Sequence, residues 1–334
     1  MTAVPSEIDP RVVEFLASHA PGPGGPGGLR PLAGDASTRR YFRLERDGGS
    51  VVLALYPEPF DAATLPFAVV RSLLAGWGLP VPAILDADGP RGILLLEDLG
   101  DETLQRHLAT AGAGQRVGLY REAIDQLLRL QAQATGGPRD AVCFTLAFDV
   151  EKLCWELHFF ETHFLEGLRG AVLSADDKNT LADSFEALAT EIASWPRVLC
   201  HRDFHSRNLM RHRGCSYWID FQDARLGPAS YDLASLLRDS YVDLDEEFVA
   251  DRAEEFRQRS GEARDIFARR FELMSVQRNL KALGTFGYMT AVRGSDAYRG
   301  DVPRTLGHAR RNLARHPELA ALRRVLARHL EELQ

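Results

Sequence analysis

The sequence lacks the long apolar runs, the paired cysteines and the basic excess that mark several large classes of protein. No apolar run approaches the ~20 residues that a helix needs to cross a bilayer. The four cysteines are scattered without a C-x-x-C pair, which favours reduced core thiols over disulfides. The net charge of −7 and the pI near 5.8 give no basic surface for nucleic acid. The first residues, MTAVPSEIDP, are acidic and have no apolar signal core. We therefore expect a cytoplasmic protein without membrane or nucleic-acid partners.

The residues that carry chemistry are concentrated between Leu199 and Asp232. Asp203 lies in the polar segment HRDFHSRN, Asn208 follows it by five positions, and an apolar strand then leads to Asp220. Phosphoryl transfer needs an oriented acceptor hydroxyl and metal that neutralises charge on the phosphates. Asp203 suits the first task, because a carboxylate can accept the hydroxyl proton. Asn208 and Asp220 offer the hard oxygen ligands that Mg²⁺ prefers. Each short piece also occurs by chance, so the prediction rests on the joint pattern.

The chain between Asp220 and Asp232 is short. The interval is 12 residues, with no A-P-E signature and no room for the long activation segment of a protein kinase. We therefore expect a small-molecule acceptor rather than a protein. Asp232 opens the next helix, and we interpret it as a structural carboxylate that accepts backbone N–H bonds from the catalytic loop.

Four segments of the sequence resemble one family. These are GDASTRRYFR (34–43), LLLEDLG (94–100), HRDFHSRNLM with IDFQDA (201–224), and QRNLKALGTFGY (277–288). Together they resemble the aminoglycoside-phosphotransferase superfamily, and most closely its bacterial anomeric kinases of N-acetylmuramate and N-acetylglucosamine. The resemblance implies an α+β, two-lobed protein-kinase-like fold. We expect an N-terminal helix and a Pro/Gly linker (1–28), a small antiparallel-sheet N-lobe that binds nucleotide (29–100), and a mostly helical C-lobe with the catalytic loop and acceptor site (101–334).

The N-lobe departs from this family at one position. A turn of small residues, Gly34 to Thr38, can close its amides over phosphates, although a simple hairpin turn also fits; we favour the phosphate loop and name Ser37 and Thr38 as contacts. The third strand, SVVLALY, has no lysine where family members carry one for the nucleotide phosphates. We expect one of the nearby arginines, Arg39, Arg40 or Arg43, to replace it. Arg40 and Arg43 lie on opposite faces of a regular strand, so only one of these two can face the cleft.

The remaining site residues are implied by the resemblance. Backbone groups near Glu97 and Leu99 would bind adenine at the hinge, although a surface turn fits the sequence equally well. His205, Arg207, Asp223 and Asp239 are candidates for the acceptor side. The polar residues of QRNLKALGTFGY have a solvated face as their default explanation, whereas the resemblance places this helix along the acceptor pocket.

The predicted activity is ATP- and Mg²⁺-dependent transfer of the γ-phosphate to the anomeric hydroxyl of N-acetylmuramate, N-acetylglucosamine or both, which would serve cell-wall sugar recycling. Two alternatives remain open at this point. One is a kinase of another small alcohol or amine, such as an aminoglycoside, choline or an amino acid. Many acidic residues in the acceptor pocket would favour such a cationic substrate. The other is a catalytically silent nucleotide-binding module, which the missing lysine favours and the intact set of two carboxylates and an amide opposes.

Overall fold

A five-stranded antiparallel sheet forms the N-terminal part of the protein. The computed structural model describes residues 8–19, 28–32, 39–46 and 48–334. The strands are β1 (Leu29–Leu32), β2 (Arg40–Arg46), β3 (Gly49–Leu55), β4 (Ile84–Asp88) and β5 (Ile93–Glu97), in the order β1-β2-β3-β5-β4. Two helices accompany the sheet, α1 (Pro10–His19) and α2 (Pro66–Gly76).

The two faces of this sheet bury different side chains. Successive residues of a strand point to opposite faces. Leu53 and Leu55 therefore pack with Val12 and Phe15 of α1, in a small core that covers one face of the sheet. Ala54, between the two leucines, belongs to the main core of the protein. This alternation places α1, which the sequence analysis grouped with the linker, directly on the sheet.

The rest of the chain is mostly helical. The helices are α3 (Leu104–Leu108), α4 (Ala113–Ala134), α5 (Val142–Thr145), α6 (Val150–Phe160), α7 (Ala175–Ala193), α8 (Ser230–Leu237), α9 (Glu246–Ser260), α10 (Arg264–Ala291), α11 (Val302–Arg315) and α12 (Ala320–His329). A π-helical segment, Glu161–Leu168, continues α6. Two antiparallel pairs of short strands are inserted, β6 (Arg197–Cys200) with β9 (Arg225–Pro228), and β7 (Leu209–His212) with β8 (Cys215–Trp218).

Helix α10 lies at the centre of the helical part and packs against α6, α8 and α11. Two glycines allow α10 to approach the α6 region closely. A Cβ added at Gly284 would lie 2.9 Å from the Cα of Phe160, and one added at Gly287 would lie 2.3 Å from the carbonyl oxygen of His163. Both distances are far below van der Waals contact, so any larger side chain would push the helices apart. This contact fixes α10 beside the catalytic loop.

The arrangement confirms the predicted α+β fold, with a small antiparallel sheet followed by a mostly helical lobe. Within the ranges described above, no helix combines the length and the apolar character that crossing a bilayer requires.

Candidate active site

The predicted catalytic loop runs from β6 to β7 and is anchored from behind by Asp232. The carboxylate of Asp232, on α8, accepts hydrogen bonds from the amides of His201 at 2.6 Å and Arg202 at 3.0 Å. Arg202 has a φ of 87°, a left-handed conformation that a residue with a side chain adopts only when its surroundings impose it. The two buried hydrogen bonds supply that constraint, and they hold the backbone that precedes Asp203.

A second buried carboxylate, Asp239, anchors the other half of the loop. Its two oxygens accept hydrogen bonds from the amides of Ser206 at 2.9 Å and Tyr241 at 2.8 Å. The residue is 2% exposed. The sequence analysis placed Asp239 on the acceptor side. Because both oxygens are used by the backbone, we now interpret it as a support for the loop.

The candidate metal ligands, Asn208 and Asp220, are brought together by the β7–β8 hairpin. The amide of Ile219 donates to the carbonyl of Asn208 at 3.0 Å, which extends the hairpin by one pair and places Asp220 next to it. Asn208 Nδ2 donates to the carbonyl of Asp203 at 2.9 Å, so its Oδ1 remains available for a cation. Asp220 has a φ of 64°, and its side chain is 46% exposed. One amide oxygen and one accessible carboxylate fit Mg²⁺, which takes few protein ligands and completes its shell with phosphates and water.

Asp203 is surrounded by cations. Lys281 Nζ lies 2.8 Å from Asp203 Oδ1, Arg278 Nη1 lies 3.5 Å from the same oxygen, and Arg202 Nε lies 3.9 Å from Oδ2. Burial alone would raise the pKa of Asp203, but the charges of Lys281, Arg202 and Arg278 outweigh it and hold the pKa well below its usual range. Asp203 is therefore a carboxylate at neutral pH, ready to accept a hydrogen bond.

Further charged residues extend this group, which we call the cationic cluster. Arg202 Nη1 lies 3.1 Å from Asp223, and Arg225 Nη2 lies 3.8 Å from Asp223. Lys152 Nζ lies 3.9 Å from the buried Glu156. The cluster as a whole comprises the cations Lys152, Arg202, Arg225, Arg278 and Lys281 with the carboxylates Glu156, Asp203 and Asp223. Asp223, a predicted acceptor residue, thus lies beside the catalytic loop as a partner of two arginines.

The other two predicted acceptor residues have different surroundings. His205 is half-buried, and its loss of solvation lowers its pKa to about 3, so its imidazole is neutral. Its ring packs edge-on against Tyr241. Arg207 lies over the same tyrosine, with its guanidinium carbon 3.7 Å from the ring centre, and it pairs with Asp301 at 3.2 Å. These contacts give Arg207 a role in joining the loop to the segment before α11.

The N-terminal arginines are separated by the structure. Arg43 is 5% exposed, and its guanidinium pairs with Asp98 and Asp101. Arg40 is exposed and lies over the ring of Phe42. Arg39, by contrast, places Nη2 3.6 Å from Asp220 Oδ1, and its side chain is 13% exposed. Of the three arginines considered from sequence, Arg39 is therefore the one in an ion pair with a candidate metal ligand.

The hinge region follows β5. The amide of Glu97 donates to the carbonyl of Ala83 at 2.9 Å, so this N–H is already used. Leu99 is 7% exposed, and within the described ranges neither its amide nor its carbonyl has a hydrogen-bond partner. An open donor and acceptor next to a buried side chain suit the edge of a planar base. Ser37 and Thr38, the predicted phosphate contacts, lie outside the described residues.

The contacts of two residues of this site were not predicted from the sequence. Lys281 contacts Asp203 across 78 positions, and α10 also buries Gln277, Arg278 and Asn279. The default explanation of a solvated face is therefore wrong for these three. The signal in the sequence was a run of polar residues inside a long helix with apolar neighbours on all sides, since such residues need partners when the helix is central. Glu156 is the second residue: it is 1% exposed and accepts a hydrogen bond from Gln277 at 2.8 Å.

Comparison with known sequences places the chain among phosphotransferases. The phosphotransferase enzyme family matches residues 28–268. The N-acetylmuramate/N-acetylglucosamine kinase of Neisseria meningitidis is 36% identical over 298 residues, which cover 87% of each chain. The enzyme of the same name from Pseudomonas aeruginosa is 33% identical over 327 residues, which cover 96% of this chain and 94% of that protein.

Comparison with solved structures supports the fold. A choline/ethanolamine kinase family protein from Mesorhizobium loti has a TM-score of 0.57 at 20% identity and covers 94% of this chain and 99% of its own. Amicoumacin kinase, in complex with AMP-PNP, Ca²⁺ and Ami, has a TM-score of 0.63 at 15% identity and covers 93% of this chain and 95% of its own. At these identities the likeness speaks for the fold alone. The family match over residues 28–268 and the relatives at 36% and 33% identity show that this chain belongs to the phosphotransferase enzyme family.

Proposed function

We propose that this protein is an ATP- and Mg²⁺-dependent kinase that phosphorylates the anomeric hydroxyl of N-acetylmuramate, N-acetylglucosamine or both. The observation that carries the proposal is the similarity to sugar kinases at 36% and 33% identity, which extends over 87% and 96% of the chain. A match of this length includes the acceptor side as well as the nucleotide side. The geometry of the catalytic loop supports the same reaction class.

Asp203 is proposed to orient the acceptor hydroxyl and to receive its proton. Its lowered pKa makes it a weak base, which suits a loose transition state in which the hydroxyl becomes acidic only as the new bond forms. An anomeric hydroxyl suits such a base, since the ring oxygen withdraws electron density and makes this hydroxyl more acidic than an ordinary alcohol. The ion pair with Lys281 at 2.8 Å fixes the direction of the carboxylate.

Asn208 and Asp220 are proposed to hold the metal. When bound, Mg²⁺ neutralises charge on the β- and γ-phosphates and on the leaving group. Asn208 contributes Oδ1 because its Nδ2 is engaged with the carbonyl of Asp203. Asp220 contributes an exposed carboxylate at the end of the hairpin.

Arg39 is proposed to replace the lysine that the third strand lacks. Its guanidinium lies next to Asp220, so its positive charge is close to the proposed binding site of the metal and the phosphates. Arginine suits this task because its planar fork donates two parallel hydrogen bonds to a phosphate. The open backbone groups of Leu99 are proposed to bind the adenine edge at the other end of the nucleotide.

The cationic cluster distinguishes between acceptor classes. Aminoglycosides and choline carry positive charge, and an acceptor side rich in arginine and lysine repels such molecules. Neutral and acidic sugars are not repelled by these positive charges. The cluster therefore favours the sugar over the cationic alternatives.

The test is a measurement of ADP release with Mg·ATP and a panel of acceptors: N-acetylmuramate, N-acetylglucosamine, glucose, kanamycin and choline. Asp203→Asn is measured alongside, with Asp251→Asn as a matched control, because Asp251 is exposed on α9 away from the loop. We expect turnover of the N-acetyl sugars that is lost in Asp203→Asn and kept in Asp251→Asn. NMR of the product then locates the phosphate on the anomeric carbon.

Two results would contradict the proposal. Turnover of kanamycin or choline without turnover of the sugars would keep the phosphotransferase mechanism and remove the sugar assignment. Binding of ATP without turnover of any acceptor in the panel would favour a silent nucleotide-binding module.

A further inference from the structure

The cationic cluster contains more positive charge than its carboxylates balance. Five cations face three carboxylates within contact distances of 2.8 to 3.9 Å. In addition, the Nε atoms of Arg202 and Arg278 are buried without a hydrogen-bond partner among the described residues. Buried donors of this kind are costly unless a ligand or water satisfies them. The surplus of charge and the open donors both indicate that an anion completes the cluster.

Lys152 is the cation that α6 contributes to the cluster. It lies in the first turn of α6, where Asp149 caps the helix by accepting from the amide of Lys152 at 2.8 Å. Glu156, one turn later, accepts a hydrogen bond from Gln277 of α10 at 2.8 Å, so this face of α6 turns toward the helix that carries Lys281. The closest carboxylate to Lys152 is that of Glu156 at 3.9 Å, which is beyond hydrogen-bond distance.

Lys152 also contacts an aromatic side chain. Its Nζ lies 3.8 Å from the ring centre of Trp155, and the ring of Trp155 stacks on that of Phe159 with the ring centres 5.2 Å apart. The charges of Arg202, Arg225 and Lys281 act on Lys152 closely enough to contribute, after burial, to a lowered pKa. Lys152 joins the cluster through Glu156, whose hydrogen-bond partner Gln277 lies one turn before Lys281 on α10.

We propose that Lys152, together with Arg202, forms an anion subsite that binds the carboxylate of an acidic sugar acceptor, so that the protein prefers N-acetylmuramate to N-acetylglucosamine. This inference rests on the proposed function. The two sugars differ only by the lactyl ether on C3, which carries a carboxylate and is two ring bonds from the anomeric carbon. In this proposal the anomeric hydroxyl lies at Asp203 and the carboxylate lies at Lys152 and Arg202.

The experiment compares kcat/KM for the two sugars, expressed as the ratio of N-acetylmuramate to N-acetylglucosamine. We expect Lys152→Met to lower this ratio about five- to tenfold, which is the usual size of a charge-assisted contact in a partly exposed site. Lys152→Arg keeps the charge and is expected to keep most of the preference. Lys178→Met is the matched control, since Lys178 pairs with Glu166 at 2.8 Å on the outside of α7. The methyl ester of N-acetylmuramate, which keeps the bulk and loses the charge, is expected to be a poorer acceptor than the acid.

Several outcomes would overturn the inference. An unchanged ratio in Lys152→Met, or an ester as good as the acid, would show that the carboxylate is not bound there. An equal loss for both sugars would assign the cations to the transferred phosphate instead. A wild-type preference for N-acetylglucosamine would contradict the inference while leaving the proposed function intact. If the wild-type protein phosphorylates neither sugar, the proposed function fails and this inference fails with it.

Discussion

Replacing Arg39 tests how this phosphotransferase works without the third-strand lysine. The side chain of Arg39 is 13% exposed, and its Nη2 lies 3.6 Å from Asp220. Its guanidinium carbon also lies 5.7 Å from the ring centre of Tyr56 and 5.9 Å from that of Tyr41, which hold it in place. Arg40 carries the same charge one position later, but it is exposed and lies over Phe42. The two neighbours therefore form a matched pair for substitution.

The expected effect follows from the contact that Arg39 is proposed to make. A hydrogen bond to a charged group contributes about 1.5–3 kcal/mol, and each 1.4 kcal/mol corresponds to a factor of ten. Arg39→Ala should therefore lower kcat/KM for ATP about 10- to 150-fold. Arg40→Ala should change kcat/KM for ATP less than about twofold, because the charge of an exposed cation contributes little. Arg39→Lys should restore part of the loss, since it returns the charge without the fork.

The assay is steady-state turnover at varied ATP and varied Mg²⁺, with the melting temperature of each variant as a control for folding. Equal effects of Arg39→Ala and Arg40→Ala would refute the assignment. So would a loss in Arg39→Ala that excess Mg²⁺ removes completely, because that result would mean that Arg39 acts only on the metal affinity of Asp220.

The remaining predictions concern Asp203 and the stability of the fold. Lys281→Met should lower kcat about 10- to 100-fold and move the acid limb of the pH–rate profile to higher pH, because the pKa of Asp203 loses its closest cation; an unmoved limb would contradict this. Asp232→Ala should lower the free energy of unfolding by about 2–4 kcal/mol in urea titrations, since two buried amides lose their acceptor; a loss of activity at unchanged stability would argue against a structural role. Burial and neighbouring arginines lower the pKa of His308 to about 4 from 6.5, so the unfolded chain binds the extra proton between these values. The free energy of unfolding should thus fall as the pH drops through this window, by about 1.4 kcal/mol per unit for one histidine, and His308→Asn should flatten that slope.

The grouping of the candidate reaction centre could be predicted from the sequence because its members are close together along the chain. Asp203, Asn208 and Asp220 fall within one loop and the hairpin that follows it, so their spacing in the sequence is enough to predict that they lie close together in space. The structure adds how they are held, through the Ile219–Asn208 backbone bond. The two-lobed α+β fold could be predicted from the same motifs, with an early group of strands and a long helical remainder.

The acceptor side could not be predicted in this way. Asp239 and Arg207 are polar residues near the catalytic loop, but the burial of one and the ion pair of the other depend on contacts with distant segments. Lys281 reaches Asp203 from a helix that packs closely on the α6 region at Gly284 and Gly287. Sequence periodicity does not determine that rotation when a helix is buried on most sides. From the sequence, Arg39 could not be distinguished from Arg40 and Arg43, because the choice among them depends on the position of β2.

The β7–β8 hairpin has a consequence for how such enzymes diversify. Both candidate metal ligands belong to one rigid ribbon, and Asp203 is tied to that ribbon through Asn208, whereas the acceptor is proposed to meet α6 and α10. The residues proposed for phosphoryl transfer and those proposed for acceptor selectivity thus lie in separate segments of the chain. Substitutions on the two helices can accumulate without moving the ligands of the cation. Such a separation would allow proteins of this fold to act on different acceptors, and solved structures of the fold are named for choline, aminoglycosides and amicoumacin.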